Sequence, residues 1–148
     1  MTDKLKVKGT ARTILTHKDG TKEVFEQHNM IMNVGFDLLI SSLINSSNRP
    51  DPLGYVALGT GTTATAATQT ALANQTYIKQ GVWSWNAGSK TFTITAEWST
   101  GEVLGTITEG AVFNAISDGV MFDRIVFSTP FVGASDIQYT QQFEFEVA

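Results

Sequence analysis

The period of the apolar residues is the feature that most restricts the fold of this chain. In the closing segment, residues 136–147, apolar and polar side chains alternate. Residues 90–98 and 4–16 repeat the pattern, and a period of two is typical of a strand with one buried face. Turn-forming residues separate such segments, which favours a β-sandwich or barrel. We therefore predict a mainly β fold, β-sandwich or jelly-roll-like, as one domain over residues 1–148.

The first 28 residues predict an N-terminal hairpin. Residues 4–16 form its first strand, HKDG at 17–20 is typical of an Asp-Gly turn, and residues 21–28 return with Val24 as the apolar anchor. The predicted inward face holds Leu5, Val7, Ala11, Thr13 and Leu15, and the outward face holds Lys4, Lys6, Lys8 and Arg12.

The three outward lysines have two interpretations. Lysines on an edge strand prevent that strand from pairing with another chain. Alternatively, Lys4, Lys6 and Lys8 contact an acidic surface of a partner protein.

One segment has helical periodicity instead. Residues 33–47 place apolar side chains at i, i+3, i+4 and i+7, the spacing of an amphipathic helix. We predict a short helix over about 34–45, capped by Asn33 and followed by two prolines that cannot continue it. A short helix gains its stability from packing, so we expect its apolar stripe to dock on a sheet. The stripe consists of Phe36, Leu39, Ile40 and Leu43, and Leu38 and Ile44 widen it.

Residues 59–75 form a long segment without a charged side chain. It follows a predicted strand, as a phosphate-binding loop does, but the Lys of a Walker loop is missing. The residues after LGTGTT are poor helix formers, which argues against a dinucleotide-binding fingerprint. We interpret the segment as an extended, ordered arm whose small side chains let another subunit approach closely. The candidate subunit contacts are Thr60, Gly61, Thr62, Thr63, Thr65 and Thr68.

Two tryptophans two residues apart leave an alternative open. Trp83 and Trp85 belong to a predicted strand over 76–85 and therefore share one face. Exposed together, they would make a platform on which a sugar ring stacks. Packed inward, they would serve as core or as a subunit contact, which is the commoner role of large apolar side chains.

Composition disfavours several functional classes. Charged residues make up 16% of the chain and the net charge is −4, which disfavours non-specific nucleic-acid binding. The chain has no cysteine, so it has neither disulfides nor thiolate metal ligands. The N-terminal residues predict no secretory signal, and no apolar run is long enough to predict a membrane span.

Reactive side chains are few and scattered. The two histidines, His17 and His28, lie in a predicted turn and at a strand end, with no nucleophile or second ligand at a suitable spacing. The carboxylates of the third quarter of the chain lack the spacing of a calcium loop. We therefore expect no catalytic residue, no cofactor and no metal ligand. These carboxylates are Glu102, Glu109, Asp118 and Asp123.

Four segments follow one another in a characteristic order. They are HNMIMNVGFDLLISSLI at 28–44, YVALGTGTTATAATQTALANQ at 55–75, GEVLGTITEGAVFNAISDGVMFDRIVFS at 101–128, and IQYTQQFEFEV at 137–147. Together they resemble a family of small structural virion proteins from tailed bacteriophages. The resemblance covers residues from about 25 to the end of the sequence.

The resemblance implies a structural role without catalysis, as a capsid decoration (cement) protein or a tail-fibre component. Because the chain lacks a long repetitive shaft, we favour decoration. The implied partners are the major capsid protein and further copies of this chain, as a homotrimer, without nucleic acid or membrane. The implied location is the capsid surface of the virion, after synthesis in the bacterial cytoplasm. The alternatives are a tail-tip protein that binds a host glycan through Trp83 and Trp85 and, ranked last, a glycan hydrolase.

Overall fold

Alternating strands dominate the structure, as their sequence period predicts. The computed structural model describes residues 4–148. Its elements are β1 (Val7–Thr16), β2 (Lys22–His28), β3 (Met30–Ile31), α1 (Asn33–Ile44), β4 (Tyr55–Gly59), β5 (Gln75–Gln80), β6 (Val82–Trp85), β7 (Thr91–Trp98), β8 (Gly105–Phe113), β9 (Asp123–Gly133) and β10 (Gln138–Val147).

The strands form two antiparallel sheets. The first has the order β2-β1-β10-β7-β6 and the second the order β3-β9-β8-β4-β5. A hydrophobic core with contributions from both sheets lies between them. The predicted mainly β, sandwich-like fold with one short helix is thereby confirmed.

The closing strand supplies the centre of this core. Tyr139, Phe143 and Phe145 on β10 are fully buried, while the alternate residues of that strand face outward. β10 lies between β1 and β7 and pairs with both over most of its length. Burying an aromatic or large aliphatic side chain stabilises a fold by about 1.5–3 kcal/mol. The predicted alternation of residues 136–147 therefore places the largest share of the apolar area correctly.

The predicted strand over 76–85 is divided between the two sheets. β5 belongs to the second sheet and β6 to the first, with Gly81 between them. A Cβ atom at Gly81 would lie 2.6 Å from Ile94 Cγ1, so a side chain does not fit where the chain crosses. A continuous run of strand-forming residues hides this crossing from sequence analysis.

The N-terminal hairpin forms, but two of its predicted anchors are wrong. Leu5 precedes β1 and is exposed, and Val24 is exposed as well. The register pairs Phe25 with the buried Thr13, so Phe25 is the residue that turns inward. Its ring centroid lies 4.9 Å from that of Phe131.

β1 is not the edge strand that the lysine interpretation requires. It is second in its sheet and pairs with β2 and with β10. Lys4, Lys6 and Lys8 are exposed, and Lys8 stands opposite Glu146 of β10. A cross-strand partner of opposite charge accounts for Lys8 without reference to edge protection.

Helix α1 docks through one edge of the predicted apolar stripe and not through its centre. Its buried residues are Gly35 and Leu38, and Leu39 is half-buried, whereas Phe36, Ile40 and Leu43 are exposed. The helix contacts the sheet closely because a Cβ at Gly35 would come 2.2 Å from the backbone oxygen of Phe122, leaving room only for glycine. The close approach at Gly35 fixes the orientation that turns the larger apolar residues outward.

The predicted helix cap is also wrong. The N-cap residue is Met32, whose backbone N–H donates to Phe122 O at 2.9 Å, and within the described chain no side chain caps the helix. Asn33 is already the first helical residue, and its backbone N–H donates to Ala67 O at 2.8 Å. In the described part of the chain, no helix is long and apolar enough to cross a membrane.

The outer face of the second sheet carries a second, smaller core. We call this face the covered face, because the loop of residues 60–74 and helix α1 lie over it. The loop contributes Leu72, and the segment at the start of the helix contributes Met32 and Val34. The sheet residues beneath them are Ala57, Ala111, Phe113 and Met121.

Candidate functional site

The long uncharged segment folds back over its own sheet. Loop 60–74 connects β4 to β5, which pair with each other, so it is the connection of a long hairpin. Its base closes through the backbone N–H of Thr60, which donates to Asn74 O at 2.9 Å. Contacts within its own chain hold the segment against the sheet, so it does not extend away from the domain as the predicted arm would.

One buried carboxylate holds the loop to the sheet. Glu109 on β8 is fully buried, and it accepts hydrogen bonds from the backbone N–H groups of Gly61 at 2.7 Å, Ala73 at 2.9 Å and Asn74 at 2.8 Å. The donors come from both ends of the loop, so a single side chain closes it. Hydrogen bonds to a charged group stabilise by about 1.5–3 kcal/mol each.

Arg124 on β9 completes the anchor. Its Nε and Nη2 atoms donate to Glu109 Oε1 at 3.1 and 3.0 Å, and both side chains are buried. Its Nη1 atom donates to Thr63 O at 2.8 Å and to Gln69 Oε1 at 3.0 Å. The guanidinium therefore links the carboxylate below it to the middle of the loop above it.

Gln69 connects Arg124 to the backbone of the loop. Its Oε1 atom also accepts from the backbone N–H of Ala66 at 3.1 Å, and its Nε2 atom donates to Ala64 O at 2.9 Å. The network runs from β8 through Arg124 and Gln69 into the loop backbone. A buried charge network of this kind makes the loop rigid. Any movement of the loop that broke one of these hydrogen bonds would leave a buried polar group unpaired, which is costly in free energy.

A bulge in β8 brings the polar side chains to the loop. The register of β8 with β9 shifts between Ile107 and Glu109, which turns consecutive residues toward one side. Thr108 Oγ1 consequently donates to Gly61 O at 2.8 Å, next to the bond from Gly61 N–H to Glu109.

The glycines of the LGTGTT motif have a structural explanation. A Cβ at Gly59 would lie 2.6 Å from Glu109 Oε2, and one at Gly61 would lie 2.4 Å from the same oxygen. The spacing that resembles a phosphate-binding loop therefore makes room for a carboxylate of the chain itself. Glu109 accepts a hydrogen bond from the backbone N–H of Gly61, and a bound phosphate would require a donor of this kind.

The charge state of Glu109 follows from two opposing effects. Burial raises the pKa of a carboxyl group, but the backbone N–H groups of Asn74, Ala73 and Gly61 together with Arg124 outweigh burial. The net result is that the pKa of Glu109 lies below its ordinary value of 4.5. The anchor is therefore an ionised pair at neutral pH.

A second buried carboxyl lies next to Arg124 in the sequence. Asp123 is fully buried, and burial raises its pKa to about 8. Asp123 Oδ1 accepts from the backbone N–H of Val112 at 2.8 Å, and Oδ2 accepts from Asn29 Nδ2. Asn29 Oδ1 is buried and accepts no hydrogen bond from any residue between 4 and 148.

This arrangement suits a neutral Asp123. With the Asn29 amide turned by half a rotation, a protonated Asp123 would donate its O–H to the unpaired Asn29 Oδ1. Asp123 is opposite Ile31 in the pairing of β3 with β9. The carboxyl therefore lies beside the segment that leads into helix α1.

The predicted contact residues fall in separate regions. In the loop, Thr60, Thr62, Thr63 and Thr68 are exposed, Thr65 is half-buried and Gly61 is buried. Gly61 therefore faces Glu109 of its own chain, and it does not offer the subunit contact assigned to it. Lys8 lies at the start of β1 in the other sheet, and Lys4 and Lys6 precede that strand.

The two tryptophans do not form one platform. Trp83 is half-buried, its ring centroid lies 5.5 Å from that of Phe92, and its Nε1 donates to Leu53 O at 2.6 Å. Trp85 is 66% exposed. Although the two share a face, only Trp85 extends beyond the core.

Sequence reasoning found Glu109 and Asp123 only as scattered carboxylates and overlooked Arg124 and Gln69. The signal that could have found Arg124 is its position: it follows Asp123 and lies between Phe122 and Ile125, in a stretch whose apolar residues do not alternate, as in a strand that is covered on both faces. A cation in such a strand requires a buried anion. Nothing in the sequence identifies Gln69.

Within residues 4–148, no group of three or more His, Cys, Asp or Glu side chains is placed to hold a metal ion. Comparison with protein-family models, with curated proteins and with solved structures gives no match.

Proposed function

We propose that this chain is a structural protein of a tailed-phage virion that decorates the capsid. In this function the protein lies over joints between major capsid subunits, as a homotrimer, and adds contacts that resist the opening of those joints. It catalyses no reaction. The resemblance of the four sequence segments supplies the virion context, and loop 60–74 supplies the structural argument.

The observation that carries the proposal is a long uncharged loop that the buried Glu109–Arg124 pair holds rigid. Association with a partner normally costs conformational entropy for every segment that becomes ordered. The network beneath the loop has already ordered it, so an approaching partner meets a preorganised surface. Small uncharged side chains such as Thr62 and Thr68 also lose little hydration when covered.

The position of the buried carboxylates supports a non-catalytic role. Glu109 and Asp123 have perturbed pKa values, which often mark catalytic groups. Both side chains are fully buried, however, and their hydrogen bonds go to backbone N–H groups, Arg124 and Asn29. A substrate could not reach either group without unfolding the segment that covers it.

Addition of the purified protein to emptied heads and, separately, to isolated tails tests the proposal. We expect binding to heads and a higher temperature of DNA release from decorated virions. Thr62→Glu should weaken head binding at least about tenfold, equivalent to 1.4 kcal/mol. Ser84→Glu, an exposed change on the outer face of the first sheet, is the matched control and should bind normally.

Binding to tails alone would favour a second candidate, a tail component that recognises a host glycan. Trp83, Tyr55, Asp51, Gln80 and Ser117 line a groove of about 530 Å³. Aromatic rings beside carboxylate, amide and hydroxyl groups are the chemistry that binds sugars. In that case Asp51→Ala should abolish adsorption to cells and leave the thermal stability of the heads unchanged.

A further inference from the structure

Strand β2 lies at the edge of the first sheet. Among the described residues, β1 is the only strand that pairs with it. β2 has seven residues, whereas the other edge strands, β6, β3 and β5, have four, two and six. An edge strand presents unpaired backbone N–H and C=O groups, with which a strand of another chain can pair. In the described chain β2 is therefore the longest template for such pairing.

The backbone of β2 points alternately to β1 and to the free edge. The first rung of the hairpin runs from the N–H of His17 to Thr21 O at 2.8 Å. The last runs from the N–H of Asn29 to Gly9 O at 3.1 Å. Hydrogen-bonded pairs alternate along an antiparallel ladder, so the odd-numbered residues of β2 bond to β1 and the even-numbered residues point outward. The outward residues are Lys22, Val24, Glu26 and His28.

The free edge is accessible. Val24 is 45% exposed, and the other three outward residues are exposed as well. A cleft of about 260 Å³ is lined by Val24 and Glu26 of β2 and by Ser128 and Thr129 of β9, among others. Space therefore remains beside the edge for another strand.

We propose that β2 pairs antiparallel with β2 of a second copy, about a two-fold axis that passes between the two Val24 residues. In this register Lys22 stands opposite the partner's Glu26, and Glu26 stands opposite the partner's Lys22. All three residue pairs join outward-pointing backbone groups. Each pair exchanges two hydrogen bonds, which gives about six across the contact.

Charge selects this register among those that the outward groups allow. A ladder centred on Phe25 places Lys22 opposite His28, and one centred on Glu26 places two carboxylates opposite each other. A ladder centred on Lys22 opposes two ammonium groups, and one centred on residue 23 places Lys22 opposite Val24. Like charges directly opposite destabilise a strand pair, whereas opposite charges stabilise it. Within β2, only the register centred on Val24 pairs two cations with two anions.

The neighbouring strand β1 extends the match. Val24 stands opposite the half-buried Ile14 of β1, so the register forms an apolar row of two isoleucines and two valines across the axis. Arg12 pairs with Glu26 at 3.6 Å, and the partner's Lys22 continues this row. The contact therefore covers the exposed Val24 and places each Glu26 carboxylate between two cations.

The contact goes beyond the proposed function. A homotrimer closes through three-fold contacts, and a two-fold edge contact joins copies of neighbouring trimers. An edge of seven residues covers less than the roughly 800 Å² per partner of a standard interface, so we expect a pairing that dissociates on dilution. Neighbours held on one surface have a high effective concentration, at which a weak pairing suffices.

Disulfide trapping of the full-length chain tests the contact, since the sequence has no cysteine. Hydrogen-bonded residues of an antiparallel pair have Cα atoms about 5.5 Å apart, within the range that a disulfide spans. Val24→Cys, treated with oxidised glutathione, should therefore run as a two-chain band on a non-reducing gel. Val82→Cys is the matched control and should stay a single chain, because Val82 is 74% exposed on the other edge strand, β6. Equal cross-linking of the two variants would overturn the proposal.

Charge reversal tests the register. In the Val24→Cys background, Lys22→Glu and Glu26→Lys each place like charges opposite each other twice and should lower cross-linking about tenfold. An equimolar mixture of the two should restore it, because each reversed charge then meets its opposite. Glu144→Lys is the control and should cross-link normally, because Glu144 is exposed on β10 in the middle of the same sheet.

Unchanged melting temperatures of the single variants would show that they are folded. The double variant Lys22→Glu/Glu26→Lys repeats the rescue within one chain and should cross-link like its parent. Reversed variants that cross-link as well as the parent, or folded variants that neither the mixture nor the double change rescues, would overturn the proposal. No capsid enters these measurements, so their failure leaves the capsid proposal intact, and a failure to bind heads leaves the edge contact intact.

Discussion

Loop 60–74 and helix α1 both lie over the outer face of the second sheet, and they are held there by different means. The loop has no regular secondary structure, yet a buried ion pair and its hydrogen bonds fix it at both ends and in the middle. The helix satisfies its own backbone, yet it buries only Gly35 and Leu38.

Two consecutive residues of β9 are responsible for this difference. Arg124 turns to the covered face and holds the loop, whereas Asp123 contacts Asn29 in the segment before the helix. Arg124 forms an ionised pair with Glu109 and also donates hydrogen bonds to Thr63 and Gln69 of the loop. The Asp123 contact is a carboxyl with a raised pKa next to an unpaired amide oxygen. Order in a surface segment thus depends on what lies beneath it more than on its secondary structure.

The largest expected effect comes from breaking the loop anchor. Arg124→Met leaves Glu109 buried without its cation, and such a loss typically costs about 3–5 kcal/mol. Urea unfolding monitored by tryptophan fluorescence measures the change. Arg12→Met is the matched control: Arg12 pairs with Glu26 at 3.6 Å on an exposed face, and pairs of this kind contribute about 0–1 kcal/mol.

The double variant Glu109→Leu/Arg124→Met distinguishes the ion pair from the backbone contacts. Replacing both charges removes the unpaired ion, but three backbone N–H groups of the loop lose their acceptor. We expect the double variant to stay clearly less stable than wild type. Wild-type stability in the double variant would mean that Glu109 does not hold the loop.

A smaller effect is expected on the helix side. Leu38→Ala should destabilise by about 2 kcal/mol, at the low end for a buried leucine, because Leu38 belongs to neither of the two core clusters. Leu43→Ala removes the same atoms from an exposed site and should change the stability of dilute, monomeric protein by less than about 0.5 kcal/mol. Equal losses at the two positions would contradict the observed orientation of the helix.

Asp123 makes the helix side sensitive to pH. Its pKa is 3.8 in an ordinary environment and about 8 in the fold. Between these values the unfolded chain releases the proton that the folded chain keeps, so stability falls as pH rises, by at most about 1.4 kcal/mol per pH unit. Asp123→Asn should flatten this slope, and its amide can serve both Val112 and Asn29. Thermal melts of both proteins from pH 5 to pH 8 measure the difference.

Glu109 responds to pH in the opposite direction. Its folded pKa lies below 4.5, so its contribution to stability is complete above that pH and is lost as acid protonates the folded carboxyl. A melt series of Asp123→Asn, which is free of the Asp123 titration, records this acid limb together with those of Asp19 and Glu102, whose pKa values are also lowered. No fall in stability below pH 4.5 in that variant would contradict an ionised Glu109.

The smallest effect belongs to the exposed surface of the loop. Thr62→Lys and Thr68→Lys change side chains that face solvent, and each should alter the unfolding free energy by less than about 0.5 kcal/mol. Chemical denaturation checks this directly. A loss above 1 kcal/mol would show that the loop depends on its own side chains as well as on Glu109 and Arg124.

Sequence periodicity predicted the strands well because alternation records which face is buried. It predicted β10, β7 and most of β1 with the correct inward residues. Periodicity did not predict which face of the helix is buried, because the helix has apolar residues on two faces. The larger stripe of Phe36, Ile40 and Leu43 faces outward. The close approach at Gly35, which decides the orientation, leaves no trace in hydrophobicity.

The candidate site was predictable only in outline. The absence of charge marked residues 59–75 as unusual, but the two charges that organise the loop lie 35 or more positions away from the loop residues that they contact, on β8 and β9. Pairing between distant segments is not encoded in local composition. The two glycines of the motif resemble those of a phosphate-binding loop, since a carboxylate from the same chain requires the same clearance.

The position of β10 between β1 and β7 also sets an order of events in time. Thr13 bonds to Gln141 across 128 positions of sequence, so β1 leaves the ribosome long before its central partner exists. Until β10 arrives, β1 with β2 and β7 with β6 are separate hairpins with no strand between them. Contacts at such separation slow folding. The first sheet is therefore completed by the last of its own five strands to be synthesised. Nascent chains that stop before it expose the two unpaired edges on which aggregation begins.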